Sequence, residues 1–367
     1  CSMITAELRT HSAYSFGDGA VTPEALVARA AELGYGALGL TDTADLGGVV
    51  RFVMACREHR VRPVIGAELV VDGQPLALLA QNKRGYAHLA GLVTRSRSGD
   101  LTDTTLPRAA RGRPRLTWDQ VATRAAGLQL LTGPSSGAVA TLVQQDRILE
   151  ATRLLHQWRE VFSGRVAVEV QCHQTGSDEA ALAGALIALA ERAGVPWLVA
   201  QDCRYIDRGG RLVHDMLTAL RHGVTLDAMV AQGLGHPNGG WILLDPRVLA
   251  ERWKGREDGL AANAAIADSC DCNLAWVRPP LPTFAVPGGH DDNSFLRERA
   301  MAGAHERWGA TLTRQHQLPV NHELTAIGRL GFAGFFLVML DTIHYAQQRG
   351  ILCQGRGSAA NSAVAYC

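Results

Sequence analysis

The sequence lacks the features that mark membrane and secreted proteins. No apolar run approaches the roughly 18 residues of a transmembrane helix, because charged residues interrupt every candidate. No basic segment followed by an apolar core opens the chain, so a secretory signal is not predicted. Cysteine pairs with two-residue spacing are also absent, which argues against a zinc knuckle. The 8 scattered cysteines predict a reduced, cytoplasmic protein. The lack of a transmembrane run predicts that no membrane is a partner.

Lysine is scarce and the net charge is close to zero. Of the 36 basic residues only Lys83 and Lys254 are lysines, and the formal net charge is +1. No global field would attract nucleic acid, so any such contact must come from a local patch. Residues 83–124 form one strongly basic region, and within it the Ser-, Gly- and Pro-rich segment 96–114 is either a solvated loop or a loop that contacts phosphates.

The first 205 of the 367 residues alternate short apolar runs with helical patterns. Thr22, Pro23 and Gly34 mark the two ends of one helix, and Thr117 with Gln120 has capping-box spacing. This alternation predicts an α/β fold with a parallel sheet, and the lack of a dinucleotide glycine fingerprint favours a barrel over a doubly wound sheet. The predicted strands are residues 4–8, 37–41, 64–71, 76–80, 128–132, 166–171 and 197–201.

Beyond residue 205 the pattern is mostly helical and is interrupted once. Residues 278–289 hold four prolines and two glycines, which exclude a helix or a central strand and predict a linker. We therefore expect a domain at 1–275 and a linker at 276–293, then a region at 294–367 with helices near 294–308, 322–330 and 341–349. The opening Cys1-Ser2-Met3 and the uncharged helical pattern ending at Cys367 lead us to expect a fragment of a longer protein.

Four polar residues follow the predicted strands at positions where barrel enzymes place their chemistry. In a parallel α/β barrel the active site lies at the carboxyl ends of the strands. That edge would collect one histidine and three carboxylates: His11, Asp18, Glu68 and Asp202. They are either ligands of a divalent metal centre or loop residues satisfied by backbone amides.

A glycine-rich motif near the end of the chain has the composition of an anion cradle. Glycines let backbone amides approach a phosphate, and an arginine and a serine donate further hydrogen bonds. No Lys-Ser/Thr pair follows, so the motif is not a Walker loop. The alternative is a plain glycine turn before a helix. The residues concerned are Gly355, Arg356, Gly357 and Ser358.

Several of these segments, in this order, resemble the PHP domain that opens bacterial C-family polymerases. The matching segments are residues 7–15 with Asp18-Gly19, then 41–43, 66–68, 79–86 and 201–205. The resemblance implies a distorted (β/α)7 barrel and, in active members, a multinuclear metal centre that hydrolyses phosphoesters. Here Arg9, Thr43, Pro75, Pro134 and Arg204 stand where that family has ligands. The hypothesis is that Arg9 and Arg204 neutralise a vestigial site made of His11, Asp18, Glu68 and Asp202.

Residues 351–364 resemble the start of the palm in DNA polymerase III α-type enzymes, in the form typical of the error-prone, damage-tolerant branch. The resemblance implies that Gly355, Arg356, Gly357, Ser358 and Ser362 bind the triphosphate of an incoming nucleotide. The catalytic aspartates, with their Mg²⁺, would lie beyond Cys367, so the 367 residues alone are expected to be inactive. Implied partners of the full-length enzyme are primer-template DNA, deoxynucleotides, a sliding clamp and mutagenesis accessory proteins. Two other functions stay open, a PHP-type phosphoesterase and a non-catalytic docking module for accessory proteins.

Overall fold

The computed structural model describes residues 5–98, 114–275, 281–357 and 361–367. Most of the predicted basic loop at 96–114, part of the predicted linker and Ser358 lie outside these residues. The chain divides into two compact units, Cys1–Leu274 and Ala275–Cys367.

The first unit is built on seven strands that follow one another around the sheet in chain order. β1 to β3 pair in parallel, and so do β5 to β7. All seven predicted strands are present, with ends that differ by a few residues. They are β1 (Ala6–Glu7), β2 (Ala37–Leu40), β3 (Arg62–Val71), β4 (Gln74–Ala80), β5 (Leu128–Leu131), β6 (Val166–Gln171) and β7 (Trp197–Ala200).

The prediction of a wholly parallel sheet is wrong at β4, which runs antiparallel to both of its neighbours. The cause is the turn between β3 and β4. Asp72 and Gly73 form a two-residue loop in which both have positive φ, at 47° and 81°. Asp-Gly in this conformation makes the tight hairpin turn that returns a chain antiparallel to itself. The sheet is therefore mixed.

The sheet curls into a nearly closed barrel, and the residues that follow β1 and β7 bridge its two edges. The His11 amide donates to the Cys203 carbonyl at 2.8 Å, and the Cys203 amide donates to the Arg9 carbonyl at 3.1 Å. Farther along the seam the buried Asn263 donates from its side chain to the carbonyls of Ala6 and Val199, at 3.1 and 2.7 Å. These contacts bring the loops after the first and last strands together at one end of the barrel.

The helices of the first unit surround this barrel. The predicted caps hold, because Thr22 accepts the Ala25 amide and Thr117 forms its capping box with Gln120. The helix Asp258–Ser269 carries Asn263 and packs its Ile266 against strand residues of the core. The eleven described helices are α1 (Pro23–Leu33), α2 (Val49–His59), α3 (Lys83–Ser98), α4 (Trp118–Ala122), α5 (Ala138–Gln144), α6 (Ile148–Val161), α7 (Ser177–Ala193), α8 (Gly210–His222), α9 (Leu226–Ala231), α10 (Pro246–Arg252) and α11 (Asp258–Ser269).

The second unit is helical and has its own core. Its described helices are α12 (Asp292–Trp308), α13 (Arg314–Leu330), α14 (Ala333–Gln348) and α15 (Ala363–Tyr366). Leu296, Leu324, Leu337 and Val364, one from each helix, are among the buried residues that form the core. Helix 13 begins well before the predicted position near residue 322, because Thr313 and His316 cap it there. Helix 14 likewise begins earlier than the predicted position near residue 341.

Among the described residues no single helix is long and apolar enough to cross a bilayer. Within the part of the chain that the structure describes, α13 and α14 pass such a test of length and composition only when taken together, and the chain bends by 116° between them.

Candidate functional site

The end of the barrel where β1 and β7 are bridged collects a buried group of charged side chains. Because side chains alternate along a strand, Glu7 and Arg9 face away from the core residues Ala6 and Leu8. Arg9 is fully buried. The group gathered around it comes from β3, β6 and the segments after β1 and β7: Arg9, His11, Glu68, Glu169 and Asp202.

Arg9 lies at ion-pair distance from three carboxylates. Its Nη2 is 2.5 Å from Glu68 Oε2 and 3.4 Å from Asp202 Oδ1. Its Nε is 3.1 Å from Glu169 Oε2, and Nη1 donates to Thr41 Oγ1 at 2.9 Å. The guanidinium therefore lies between these three acids.

Arg204 makes a second set of ion pairs beside the first. Its Nη2 is 3.0 Å from Asp202 Oδ2, and its Nε is 3.3 Å from Asp18 Oδ2. Asp18 is also 3.3 Å from Arg221 Nη1 and 3.5 Å from His214 Nε2. Asp202 thus touches both arginines of the site, while Asp18 belongs to the outer part of it.

The titration of the acids follows from this arrangement. Burial alone would raise the pKa of Asp202, but the charges of Arg204 and Arg9 lower it well below its usual value. The pKa of Asp18 is also lowered, because the charge of Arg204 and a hydrogen bond with His214 outweigh the effect of burial. Burial dominates at Glu169 and raises its pKa in spite of Arg9. The site therefore holds at least two ionised carboxylates that arginines neutralise.

Three of the residues retain a geometry that metal ions use. Among the described residues one group could hold an ion: His11, Glu68 and Asp202 have ligand atoms within 4.8 Å of one another. His11 Nδ1 lies 3.0 Å from Ser15 Oγ, and Nε2 is 3.2 Å from Asp202 Oδ1. However, both carboxylates already contact a guanidinium. A multinuclear centre does not fit, because Arg9 stands between the ligands it would need.

The Thr41-Asp42-Thr43 motif supports the loop after β1. Asp42 accepts hydrogen bonds from the Ser12 amide at 2.6 Å and from the hydroxyls of Ser12 and Ser15, both at 2.7 Å. Thr43 Oγ1 donates to Glu68 Oε1 at 3.4 Å. Asp42 thus fixes the loop that carries His11.

The sequence did not point to Glu169 or to a stack of rings beside the site. Glu169 is the lone acid in the apolar strand β6, and its charge among buried neighbours was the available signal. The rings of His173, Trp241, His236 and His214 stack at centroid distances of 4.0, 3.8 and 4.2 Å. Burial, together with His214, lowers the pKa of His236 to about 3, so this ring is neutral. No sequence spacing connects these four residues.

The glycine-rich motif lies in the second unit, at the surface. Gly355, Arg356 and Gly357 are exposed and follow the end of α14, while Ser358 lies outside the described residues. Residues 358–360, where the predicted helix would begin, lie outside the described residues. A short helix, α15, begins at Ala363 with Ser362 as its N-cap. The hydroxyl of Ser362 donates to Glu323 Oε2 at 2.6 Å.

Two known families match parts of the chain. The PHP domain family matches residues 7–173, which include strands β2 to β6 and the last residue of β1. The family described as the bacterial DNA polymerase III alpha NTPase domain matches residues 294–367.

Similar curated proteins match the chain over its whole length. The error-prone DNA polymerase of Mycobacterium tuberculosis is 38% identical over 383 residues, which cover 100% of this chain and 34% of that protein. The error-prone DNA polymerase of Pseudomonas aeruginosa is 34% identical over 362 residues, with 98% and 32% covered. The chain thus spans about a third of the length of these relatives.

A solved amidohydrolase from Chromobacterium violaceum, with bound sulfate and no metal, is also similar. It aligns over 55% of this chain and 87% of its own, at 17% identity and a TM-score of 0.40.

Proposed function

Because the chain carries a PHP domain followed by the start of a bacterial DNA polymerase III alpha-type domain, we propose that it works as part of an error-prone DNA polymerase. The observation that carries the proposal is similarity to such polymerases across the whole chain at 33–38% identity. The reaction would be template-directed addition of deoxynucleotides to a primer, including opposite damaged template. Its substrates would be primer-template DNA and deoxynucleotides in the cytoplasm, with a sliding clamp and mutagenesis accessory proteins as further partners.

In this proposal Arg356 and the amides of Gly355 and Gly357, with Ser358, hold the triphosphate of the incoming nucleotide. The exposure of Gly355, Arg356 and Gly357 supports it, since these groups are free to meet a ligand from solution. Glycine beside arginine allows backbone and guanidinium to contact one phosphate group. The metal-binding acids of the polymerase reaction, with Mg²⁺, are proposed to follow Cys367.

Primer extension by the complete gene product tests the proposal. With Mg²⁺ and deoxynucleotides it should extend a primer on an intact template and past an abasic site. Arg356→Ala should raise the KM for deoxynucleotide roughly tenfold, because one charge-assisted contact to phosphate is lost. Arg349→Ala, which removes an arginine stacked on Tyr345, is the matched control. Absence of any extension, or equal KM values for the two variants, would contradict the proposal.

We further propose that the PHP barrel is a scaffold whose vestigial metal site is filled by Arg9 and Arg204. The ion pairs of Arg9 with three acids support this view, because each guanidinium supplies charge where the family has metal. Elemental analysis of the protein, purified without chelators, should find less than one divalent ion per chain. Two or more ordered divalent ions at this end of the barrel would overturn the scaffold proposal.

A phosphoesterase is the second candidate, and the group of His11, Glu68 and Asp202 is the observation that favours it. It predicts hydrolysis of a generic phosphodiester such as bis(p-nitrophenyl) phosphate when Mn²⁺ is added, and loss of that activity in Asp202→Asn. The docking alternative predicts that accessory proteins bind residues 1–275 and fail to bind when these residues are removed. Docking is compatible with the polymerase proposal, whereas metal-dependent hydrolysis is not compatible with the scaffold.

A further inference from the structure

The carboxylate of Glu323, in the middle of α13, receives three hydrogen bonds from the start of α15. Ser362 Oγ donates to Oε2 at 2.6 Å, the Ala363 amide donates to Oε1 at 2.9 Å, and the Val364 amide donates to Oε2 at 3.1 Å. Ser362 Oγ in turn accepts the Ala365 amide at 3.1 Å. Both carboxylate oxygens and the first turn of α15 are thus joined.

This latch, made of Glu323, Ser362, Ala363 and Val364, holds the chain shortly after the glycine-rich motif. Before the motif, the chain leaves α14 at a second fixed point, where the Ile351 amide donates to the Ala346 carbonyl at 2.9 Å and Gly350 has a φ of 66°. Residues 351–357 between these points are exposed. Glu323 therefore sets where the segment that carries Arg356 returns to the helical core.

We propose that Glu323 is a positioning residue for the nucleotide-phosphate segment, and that Ser362 belongs to the latch rather than to the phosphate ligands. This inference rests on the proposed function and goes beyond it. The Ser362 hydroxyl can donate one hydrogen bond, and it donates that bond to Glu323. The amides of Ala363 and Val364 donate to the same carboxylate. A phosphate could bind the Ser362 hydroxyl and these two amides only by displacing the Glu323 carboxylate, which is itself an anion.

The electrostatics of the latch agree with its geometry. Burial would raise the pKa of Glu323, but the hydrogen bonds from Ser362, Ala363 and Val364 lower it overall. The acid is therefore ionised at neutral pH. Hydrogen bonds to a charged acceptor are stronger than neutral ones and leave buried or half-buried donors unpaired when they are lost.

Amide hydrogen exchange tests whether the latch exists. In Glu323→Gln the charge is removed while the size of the side chain is kept. Exchange at Ala363 and Val364 should accelerate roughly tenfold to a hundredfold, as expected for the loss of a charge-assisted hydrogen bond. Ser362→Ala should accelerate exchange at Ala365. The control is Glu306→Gln, the same substitution at an exposed residue of α12. It should leave the exchange rates of Ala363, Val364 and Ala365 unchanged. Unchanged exchange in Glu323→Gln would overturn the proposal.

Titration with inorganic tripolyphosphate tests whether the latch positions the phosphate segment. Arg356→Ala should weaken binding roughly tenfold, and Glu323→Gln should weaken it several-fold at an unchanged melting temperature. A melting temperature that stays constant separates positioning from general loss of structure. If Arg356→Ala weakens binding but Glu323→Gln binds like the wild type, the positioning role is wrong. If wild type and Arg356→Ala bind equally, the proposed phosphate site fails, and the positioning role fails with it.

Discussion

Arg9 lies fully buried among Glu68, Glu169 and Asp202, and Arg204 joins Asp202 to Asp18. Taking a guanidinium out of water is costly, and only well-placed carboxylates offset that cost. Removing one partner is worse than removing all of them, since the remaining charges stay buried without compensation. The low pKa values of Asp18 and Asp202 therefore depend on these arginines.

The first prediction concerns Arg9→Met, which keeps the volume of the side chain but removes its charge. The free energy of unfolding at pH 7 should fall by about 3–5 kcal/mol, because Glu68 and Asp202 lose a buried counter-charge. Urea denaturation measures the change. Arg29→Met removes a half-exposed ion pair with Glu32 on α1 and should cost about 0.5 kcal/mol or less. Similar losses in both variants would show that Arg9 does not compensate the acids.

The second prediction concerns Asp18 and acid. The folded-state pKa of Asp18 lies below its ordinary value of 3.8, so the unfolded chain takes up a proton first as the pH falls. The stabilisation is therefore present above that value and is lost below it. Between pH 5 and pH 3, protonation linked to Asp18 alone should lower the free energy of unfolding by about 1 kcal/mol. Asp18→Asn should lack that part of the loss. Glu58→Gln, exposed on α2, is the control, and an unaltered slope in Asp18→Asn would refute the prediction.

At this scale the sequence carries part of the site. The predicted strand positions placed four polar residues at one end of the barrel, because residues at the carboxyl ends of barrel strands lie at the same end. These residues are His11, Asp18, Glu68 and Asp202. The sequence could not reveal that Glu169 joins these residues, because a single acid in an apolar strand does not indicate which residue it pairs with. Nor could it tell that Ser362 contacts Glu323, because the two residues are distant in sequence and meet only through helix packing.

At the scale of elements, local hydrophobic patterns predicted the positions of the barrel strands but not the direction in which each strand pairs with its neighbours. Apolar runs of five to eight residues located all seven strands. The direction of β4 was missed although Asp72-Gly73 is a strong hairpin signal, because strand–helix alternation elsewhere favoured parallel pairing. The early start of α13 was missed as well, since Pro319 lies inside that helix and proline usually interrupts one.

The third prediction concerns α11 and the seam of the barrel. Asn263 is fully buried and donates to carbonyls on both sides of the seam. Asn263→Ala should lower the free energy of unfolding by about 1–3 kcal/mol, because two buried carbonyls lose their donor. Thermal denaturation measures it. Gln232→Ala, exposed at the end of α9, should change stability by about 0.5 kcal/mol or less. If Asn263→Ala matches that control, the seam does not depend on Asn263.

At the scale of the whole molecule, each of the two units has a core cluster of its own. The arginine–acid group lies entirely within Cys1–Leu274, and the Glu323 latch lies entirely within Ala275–Cys367. The second unit also exposes apolar side chains along α14, among them Phe335 and Met339. A surface of this kind promotes association at high concentration.

The last prediction follows from that division. Residues 1–274 produced alone should unfold cooperatively and should still lose about 3–5 kcal/mol on Arg9→Met, since every partner of Arg9 is present. Residues 275–367, measured at low concentration to limit association, should still show faster exchange at Ala363 in Glu323→Gln. Circular dichroism and amide exchange supply the two measurements. If either fragment is unfolded, or if its variant behaves like its own wild type, the local contacts do not suffice and that unit depends on the rest of the chain for its fold.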